Sequence, residues 1–389
     1  MAETLIVVPS VVAALQGNTI FLDRKAVDGL RSYSELWPGP VRCLMRAGDP
    51  SSIAFGEAYR QEDLPFAIRI ITDPLGHTPN VFDDAAVILL AGDNHQDLLL
   101  ADGVTAPIVY VIEYTLATRL RINRLVHGLS FQALKSAVWT IGVEWQRRRA
   151  FRHAAGLQCN GVPAYRAYRK STSAPLLYFD TRTTESQQIT HAALVAKQEA
   201  IGTGAPLRIA FSGRLEIMKG ADHLLPVVEA LADLGVPFTL DIYGDGQLRA
   251  AIAQRIVDIG FTDRVALHGP VSFADVLTPA LIERTDLFLC CHRQADPSCT
   301  YMETLSCGVP IVGYDNAAFA GIKALDNIGV CVRMDDVGGA ARAIAALADD
   351  RSRLASMAAK AAAVGREHSF EREFANRVSH LQTLAKQPR

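Results

Sequence analysis

The chain has 389 residues, 49% of them apolar and 21% charged, which is too long for one ordinary core and too apolar for disorder to dominate; two domains of roughly two hundred residues each are expected. Lys plus Arg (39) nearly balance Asp plus Glu (41), which excludes a whole-protein polyanion binder, and no nucleic-acid partner is expected. Seven cysteines, with Cys290 and Cys291 adjacent and none in CxxC or Cys/His metal spacing, read as reduced thiols of a cytoplasmic protein.

In chain order, MAETLIVVPSVVAALQG carries an acid where a secretory signal would carry positive charge, so it reads as a first buried strand. No apolar run approaches the roughly 20 residues of a membrane-spanning helix. Further candidate strands in the first half are VRCLMR from Val41, FAIRIIT from Phe66, AAVILLAG from Ala85, PIVYVIEY from Pro107 and GLQCNG from Gly156, with helical stretches between several of them. From Arg119 to His153 seven Arg and one Lys face one Glu, interleaved with Phe131, Trp139, Trp145 and Phe151. That stretch fits peripheral contact with an anionic bilayer at the inner face of the cell membrane. It equally fits an ordinary helix with a solvated basic face, or a site for a polyanionic acceptor.

The polar stretch from Thr181 to Pro206, ending in GTGAP, reads as a connection. Beyond it the alternation is clear. LRIAFS from Leu207, PFTLDIYG from Pro237, RVALHG from Arg264, DLFLCC from Asp286, VPIVGY from Val309 and GVCVRM from Gly329 alternate with helical segments such as ADHLLPVVEALADLG. The pattern predicts an α/β protein of two facing doubly wound Rossmann-like domains with an interdomain cleft: 1–190, 191–370, and a C-terminal helix over 371–389 packing back on the first. Ligands of such sheets bind at the carboxyl ends of the strands.

Three strand ends carry unusual residues. In FSGRLEIMKG, Gly213 closes a strand and Arg214 and Lys219 follow, two cations suited to a phosphate or diphosphate; a surface turn with two solvated cations explains them equally. In YGDGQL, Gly244 and Gly246 allow close approach of a ligand or of a neighbouring backbone. In DPSCTYMETLSCGVP, Asp296 and Pro297 predict a helix start whose free amides at Ser298, Cys299 and Thr300 face an anion. Glu303 would then reach vicinal hydroxyls such as those of a ribose, unless Thr300 and Glu303 form a capping box. Together the three ends suit a nucleoside diphosphate.

The order FSGRLEIMKG, YGDG, RVALHG and METLSCGVPIV, over Leu207 to Arg333, resembles the nucleotide-sugar-binding half of retaining glycosyltransferases of family four, the GT-B architecture. The resemblance implies that Arg214 and Lys219 hold the donor diphosphate, that Glu303 holds the ribose, and that Gly269 to Val271 lie near the base. The family's further acid, eight residues before Glu303, is here Ala295, with Asp296 beside it as substitute. The double-Gly loop of the N-terminal half is lacking and Gly17 is the nearest counterpart. For the N-terminal residue set against the transferred sugar, Glu113 and His95 are the candidates.

The expected catalytic set is thus Arg214, Lys219, Glu113 and Asp296. The expected activity is transfer from a nucleotide-diphosphate sugar to a glycan or lipid-linked glycan, with retention implied by the resemblance alone. No cofactor and no metal are expected, since the two cations do a divalent ion's work. An epimerase-type enzyme and a degenerate sugar-nucleotide binder are the alternatives.

Overall fold

The computed structural model describes residues 3–53, 56–71, 79–102 and 104–386. It divides into two compact units: Met1–Leu120, Ser130–Tyr178 and Glu371–Arg389 form unit one, and Arg121–Leu129 with Phe179–Phe370 form unit two. Each is a doubly wound α/β sheet.

Unit one contains, in chain order, β1 (Thr4–Val8), β2 (Val12–Gln16), β3 (Thr19–Asp23), α1 (Arg24–Leu36), β4 (Val41–Ala47), β5 (Gly56–Tyr59), β6 (Ala67–Ile71), β7 (Ala85–Ala91) and β8 (Ile108–Ile112). There follow α2 (Leu116–His127), which runs on into unit two, then α3 (Phe131–His153), β9 (Gly156–Asn160), α4 (Gly161–Tyr168) and β10 (Pro175–Tyr178). β1 pairs in parallel with β4 on one side and β7 on the other, and β8, β9 and β10 continue outward from β7. Of these, β1, β7 and β8 read as nearly unbroken apolar runs because helices cover both faces; β1 is buried along its whole length. β3 and β5 join the far edge antiparallel. The periodicity revealed neither those two nor β10; β5 and β10 are only four residues long.

In unit two the order is α5 (His191–Gly202), β11 (Leu207–Ser212), α6 (Leu224–Asp233), β12 (Phe238–Tyr243), α7 (Arg249–Asp258), β13 (Val265–Gly269), α8 (Thr278–Arg284), β14 (Leu287–Cys290), α9 (Thr300–Ser306), β15 (Ile311–Tyr314), α10 (Ala317–Lys323), β16 (Gly329–Val332), α11 (Val337–Asp349) and α12 (Arg351–Glu367). The last helix, α13 (Phe370–Ala385), lies almost wholly in unit one, where the Gln158 side-chain amide donates to the Arg377 carbonyl (3.0 Å) and Arg377 Nε donates to Gln158 Oε1 (2.9 Å). All six strands of unit two are parallel, ordered β13-β12-β11-β14-β15-β16. The order reverses between β11 and β14, which makes the crevice beyond their carboxyl ends the expected ligand position.

The chain divides after Tyr178 rather than after residue 190. The stretch expected to connect the domains is instead structural: the Ile189 amide donates to the Ser306 carbonyl of α9 (3.0 Å), and Leu194 and Ile201 of α5 join the core of unit two.

Candidate functional site

The loops after β11, β12 and β13 are stitched to one another by backbone hydrogen bonds. The Gly213 amide donates to the Tyr243 carbonyl (3.0 Å), that of Gly244 to Gly269 (2.7 Å) and that of Leu215 to Asp245 (2.8 Å). A Cβ on Gly244, whose φ is 129°, would lie 1.9 Å from the Gly213 carbonyl oxygen. A Cβ on Gly246 would lie 2.6 Å from that of Leu215. Here backbone, not ligand, fills the space the missing side chains leave, so the second of the two explanations for GDG applies.

Across the switch point the contact is equally close. Gly220, with φ of 67°, presses against the Cys291 carbonyl, which a Cβ would meet at 1.9 Å. This draws the short helical turn Ile217–Lys219 against the loop after β14. Buried Lys219 there donates from Nζ to Oδ2 of buried Asp296 (2.9 Å). Asp296 Oδ1 and both ring nitrogens of fully buried His292 have no hydrogen-bond partner among the described residues. Burial first, and then the Lys219 charge, hold the His292 pKa well below the ordinary imidazole value. Its ring meets that of Tyr301 edge-on at 5.6 Å.

Arg214 does not join Lys219 in the interior. Its side chain is 62% exposed and pairs with Glu216 at 3.2 Å. One expected cation is therefore fixed inside and the other stands at the solvent edge of the same loop.

The helix start differs from the expectation. α9 begins at Thr300 with Cys299 as its cap, three residues beyond Pro297, and the Ser298 amide is already donated to the Asp296 carbonyl (2.9 Å). The hydroxyl of Ser298 donates to that of Thr300 (3.2 Å). The capping-box alternative fails as well, because the buried Glu303 carboxylate is held by Arg182, Nε to Oε1 at 2.7 Å and NH2 to Oε2 at 3.2 Å. Val271 is half-buried in the loop after β13, and Phe273 in that loop lies under the Arg182 guanidinium, 4.3 Å from the ring centre.

Two groups escaped the sequence reading. Arg182 is a lone cation in the polar run DTRTTES, with no spacing to mark it. Arg293, in the CCHRQADPS run, was readable as a cation at a strand end. It is buried and holds Asp222 (2.7 and 2.9 Å), Asp335 (2.7 Å) and the Ile217 carbonyl (2.6 Å), which fixes the turn that carries Lys219.

In unit one, Glu113 follows β8 half-buried, and its amide donates to Asp93 Oδ2 (2.7 Å). Arg119 donates to Asp93 Oδ1 (2.9 Å). Exposed His95 meets the Trp139 ring edge-on at 5.5 Å. Gly17 sits in the tight turn between β2 and β3, with no neighbour near its absent side chain.

Residues 206–350 match the family model described as Glycosyl transferases group 1. A 2-deoxystreptamine glucosyltransferase of Streptomyces kanamyceticus is 31% identical over 111 residues, 28% of this chain and 28% of that protein. A GDP-mannose-dependent alpha-(1-6)-phosphatidylinositol dimannoside mannosyltransferase of Mycobacterium tuberculosis is 32% identical over 151 residues, 36% of each. The alignments thus span about a third of the curated relatives' own length. Among solved structures, Anabaena HepE in complex with UDP superposes with a TM-score of 0.65 at 16% identity, covering 99% of this chain and 100% of that one. Sucrose-phosphate synthase from Thermosynechococcus elongatus also gives 0.65, at 14% identity and 98% of both chains. The shared fold is the GT-B pair of Rossmann-like domains.

Proposed function

We propose that this chain, with its glycosyl transferases group 1 domain at residues 206–350, moves a sugar from a nucleoside-diphosphate sugar to a glycan or lipid-linked glycan. The observation that carries the reading is the buried Lys219–Asp296 pair, which spans the switch point of unit two with one carboxylate oxygen unused.

A lysine ammonium has three donors, and Asp296 takes one. The remaining donors suit a diphosphate, whose charge grows as the bond to the anomeric carbon breaks. Contacts to that growing charge lower the barrier more than they stabilise the bound donor. Arg214, exposed on the same loop, has room to swing onto the outer phosphate oxygens. Asp296 Oδ1 is an acceptor for a hydroxyl of the transferred sugar, in place of the acid that Ala295 lacks, and Glu303 is one for the pentose. The relatives named for UDP and for GDP-mannose make uridine and guanosine donors the first to try. Retention of configuration is part of the proposal, read from the anomeric proton of the product.

The acceptor side of the reading rests on α3. Its inward face buries Ala133, Thr140, Val143, Glu144, Arg147, Ala150 and Phe151. Its outward face carries Leu134, Val138, Ile141 and Trp145 at helical spacing, with Phe131 (83% exposed) at its first residue. Lys135, Arg149 and Arg152 are exposed beside them. An apolar stripe edged with cations suits an anionic bilayer that presents a lipid-linked acceptor, with the protein peripheral at the inner face. No helix among the described residues is long and apolar enough to cross a membrane.

The test is incubation with UDP- and GDP-sugars, with Lys219→Ala as control. Nucleoside diphosphate should be released by the wild type, faster with acceptor, and not by the variant. Equal release by both would reject the assignment. Saturable nucleotide-sugar binding without any release, even on long incubation, would favour the degenerate binder that Ala295 suggests.

A further inference from the structure

The acid expected to hold a pentose is already held by a side chain of the same unit. Glu303 is fixed on α9 and almost wholly buried, with 4% of its side chain exposed, whereas that of Arg182 is 46% exposed. The pair is therefore lopsided: the anion is locked inside, and the cation rests at the solvent edge on the face of Phe273. The two N–H groups of the guanidinium meet the two carboxylate oxygens separately. Two neighbouring hydroxyls of a ribose would use the same pair of acceptors.

We propose that Arg182 competes with the donor's pentose for Glu303, so that nucleotide entry requires its guanidinium to leave the carboxylate. The idea rests on the donor-site reading and deepens it. Three features decide which partner yields. A buried carboxylate needs a hydrogen-bond donor at all times, and either the guanidinium or the diol provides one. Arg182 takes up both oxygens of Glu303, so a ligand that uses that pair of acceptors must displace it. Arg182 has a flexible stem and water within reach, so it is the partner that can move, and its charge stays solvated when it does. Arg182 keeps Glu303 satisfied while the site is empty. Its displacement is a cost borne only by ligands that use both carboxylate oxygens, so it lowers ribonucleotide affinity and narrows the gap between ribose and dideoxyribose forms.

The experiment is calorimetric titration of UDP and GDP, and of their 2′,3′-dideoxy forms, into wild type, Arg182→Met, Phe273→Leu and Lys219→Ala. Removal of the competitor should tighten ribonucleotide binding about five-fold in Arg182→Met, the scale of a half-exposed ion pair. Dideoxynucleotide binding should stay nearly constant, so the discrimination between the two sugars widens. Phe273→Leu takes away the cation's aromatic seat and should tighten ribonucleotide binding about two-fold, a smaller shift of the same sign; it carries the test if Arg182→Met does not fold. Unchanged or weaker ribonucleotide binding in the folded variants overturns the proposal, since Arg182 would then be steadying Glu303 for the diol. If wild type binds no nucleotide, or Lys219→Ala binds it equally well, the donor-site reading itself falls. If Lys219→Ala weakens binding and the Arg182 and Phe273 variants fail to tighten it, only the competition falls.

Discussion

Beyond the carboxyl ends of the neighbouring strands β7 and β8 of unit one, Asp93 accepts from the Glu113 amide on one oxygen, and from Arg119 and Arg147 on the other. Arg147 is fully buried and spends its remaining donors on the Gly92 and Tyr114 carbonyls, Glu144 and the Tyr168 hydroxyl. Beyond β11 and β14 in unit two, Asp296 meets Lys219 through one oxygen while the other, like both nitrogens of His292, stays buried and unpartnered among the described residues. One pair of strand ends thus closes in a network of shared partners, while the other keeps buried polar groups with bonding capacity left over. A buried polar atom without a partner is costly to stability, and such costs persist at sites that serve a ligand. The contrast fits a cohesive role for the first pair of strand ends and supports the donor site proposed at the second.

The largest effects should come from breaking each end in turn. Arg147→Met leaves Asp93 and Glu144 without their shared cation and should cost about 3 to 5 kcal/mol of unfolding free energy, measured by denaturant titration. Loss under about 1 kcal/mol would mean that the network of unit one does not hold it together. Lys219→Ala should lower turnover by about 10² to 10³, far beyond what its change in melting temperature explains. If stability and turnover fall in proportion, the two ends are alike after all.

Smaller changes sharpen the comparison. Gly244→Ala forces a Cβ toward the Gly213 carbonyl and should cost about 2 kcal/mol, with weaker nucleotide binding because the stitched loops shift together. A change within ±0.5 kcal/mol would show that those loops yield easily. The smallest effect on stability, within about 0.5 kcal/mol, is expected for the double substitution of exposed Trp139 and Trp145 by Ala. Sedimentation with anionic vesicles at low salt should nevertheless fall, and undiminished sedimentation would remove α3 from the membrane reading.

Much of this was legible in the chain. The six parallel strands of unit two follow from β-branched runs alternating with helical periods, because a strand covered on both faces must be apolar throughout. Lys219, Asp296 and Glu303 stood out because charge at the end of such a run needs a reason. The predicted helix start at Asp296 failed because the Lys219 pair engages Asp296 and the backbone turns once more, Ser298 to Asp296, before α9 begins. The boundary near residue 190 failed because a polar stretch can cover a core as well as link two, and Ile189 does so against α9.

The sequence by itself determined the alternation of elements, the class of fold and which strand ends bear charge, since all three are written in local periodicity and in the cost of burying an ionised group. Only the tertiary structure decided which charges meet. Arg182 and Glu303 lie 121 residues apart, and Lys219 and Asp296 lie 77 apart; no local rule couples such positions. Their pairing depends on where the reversal of strand order sets β11 beside β14, and on glycine backbones close enough to press the loops together.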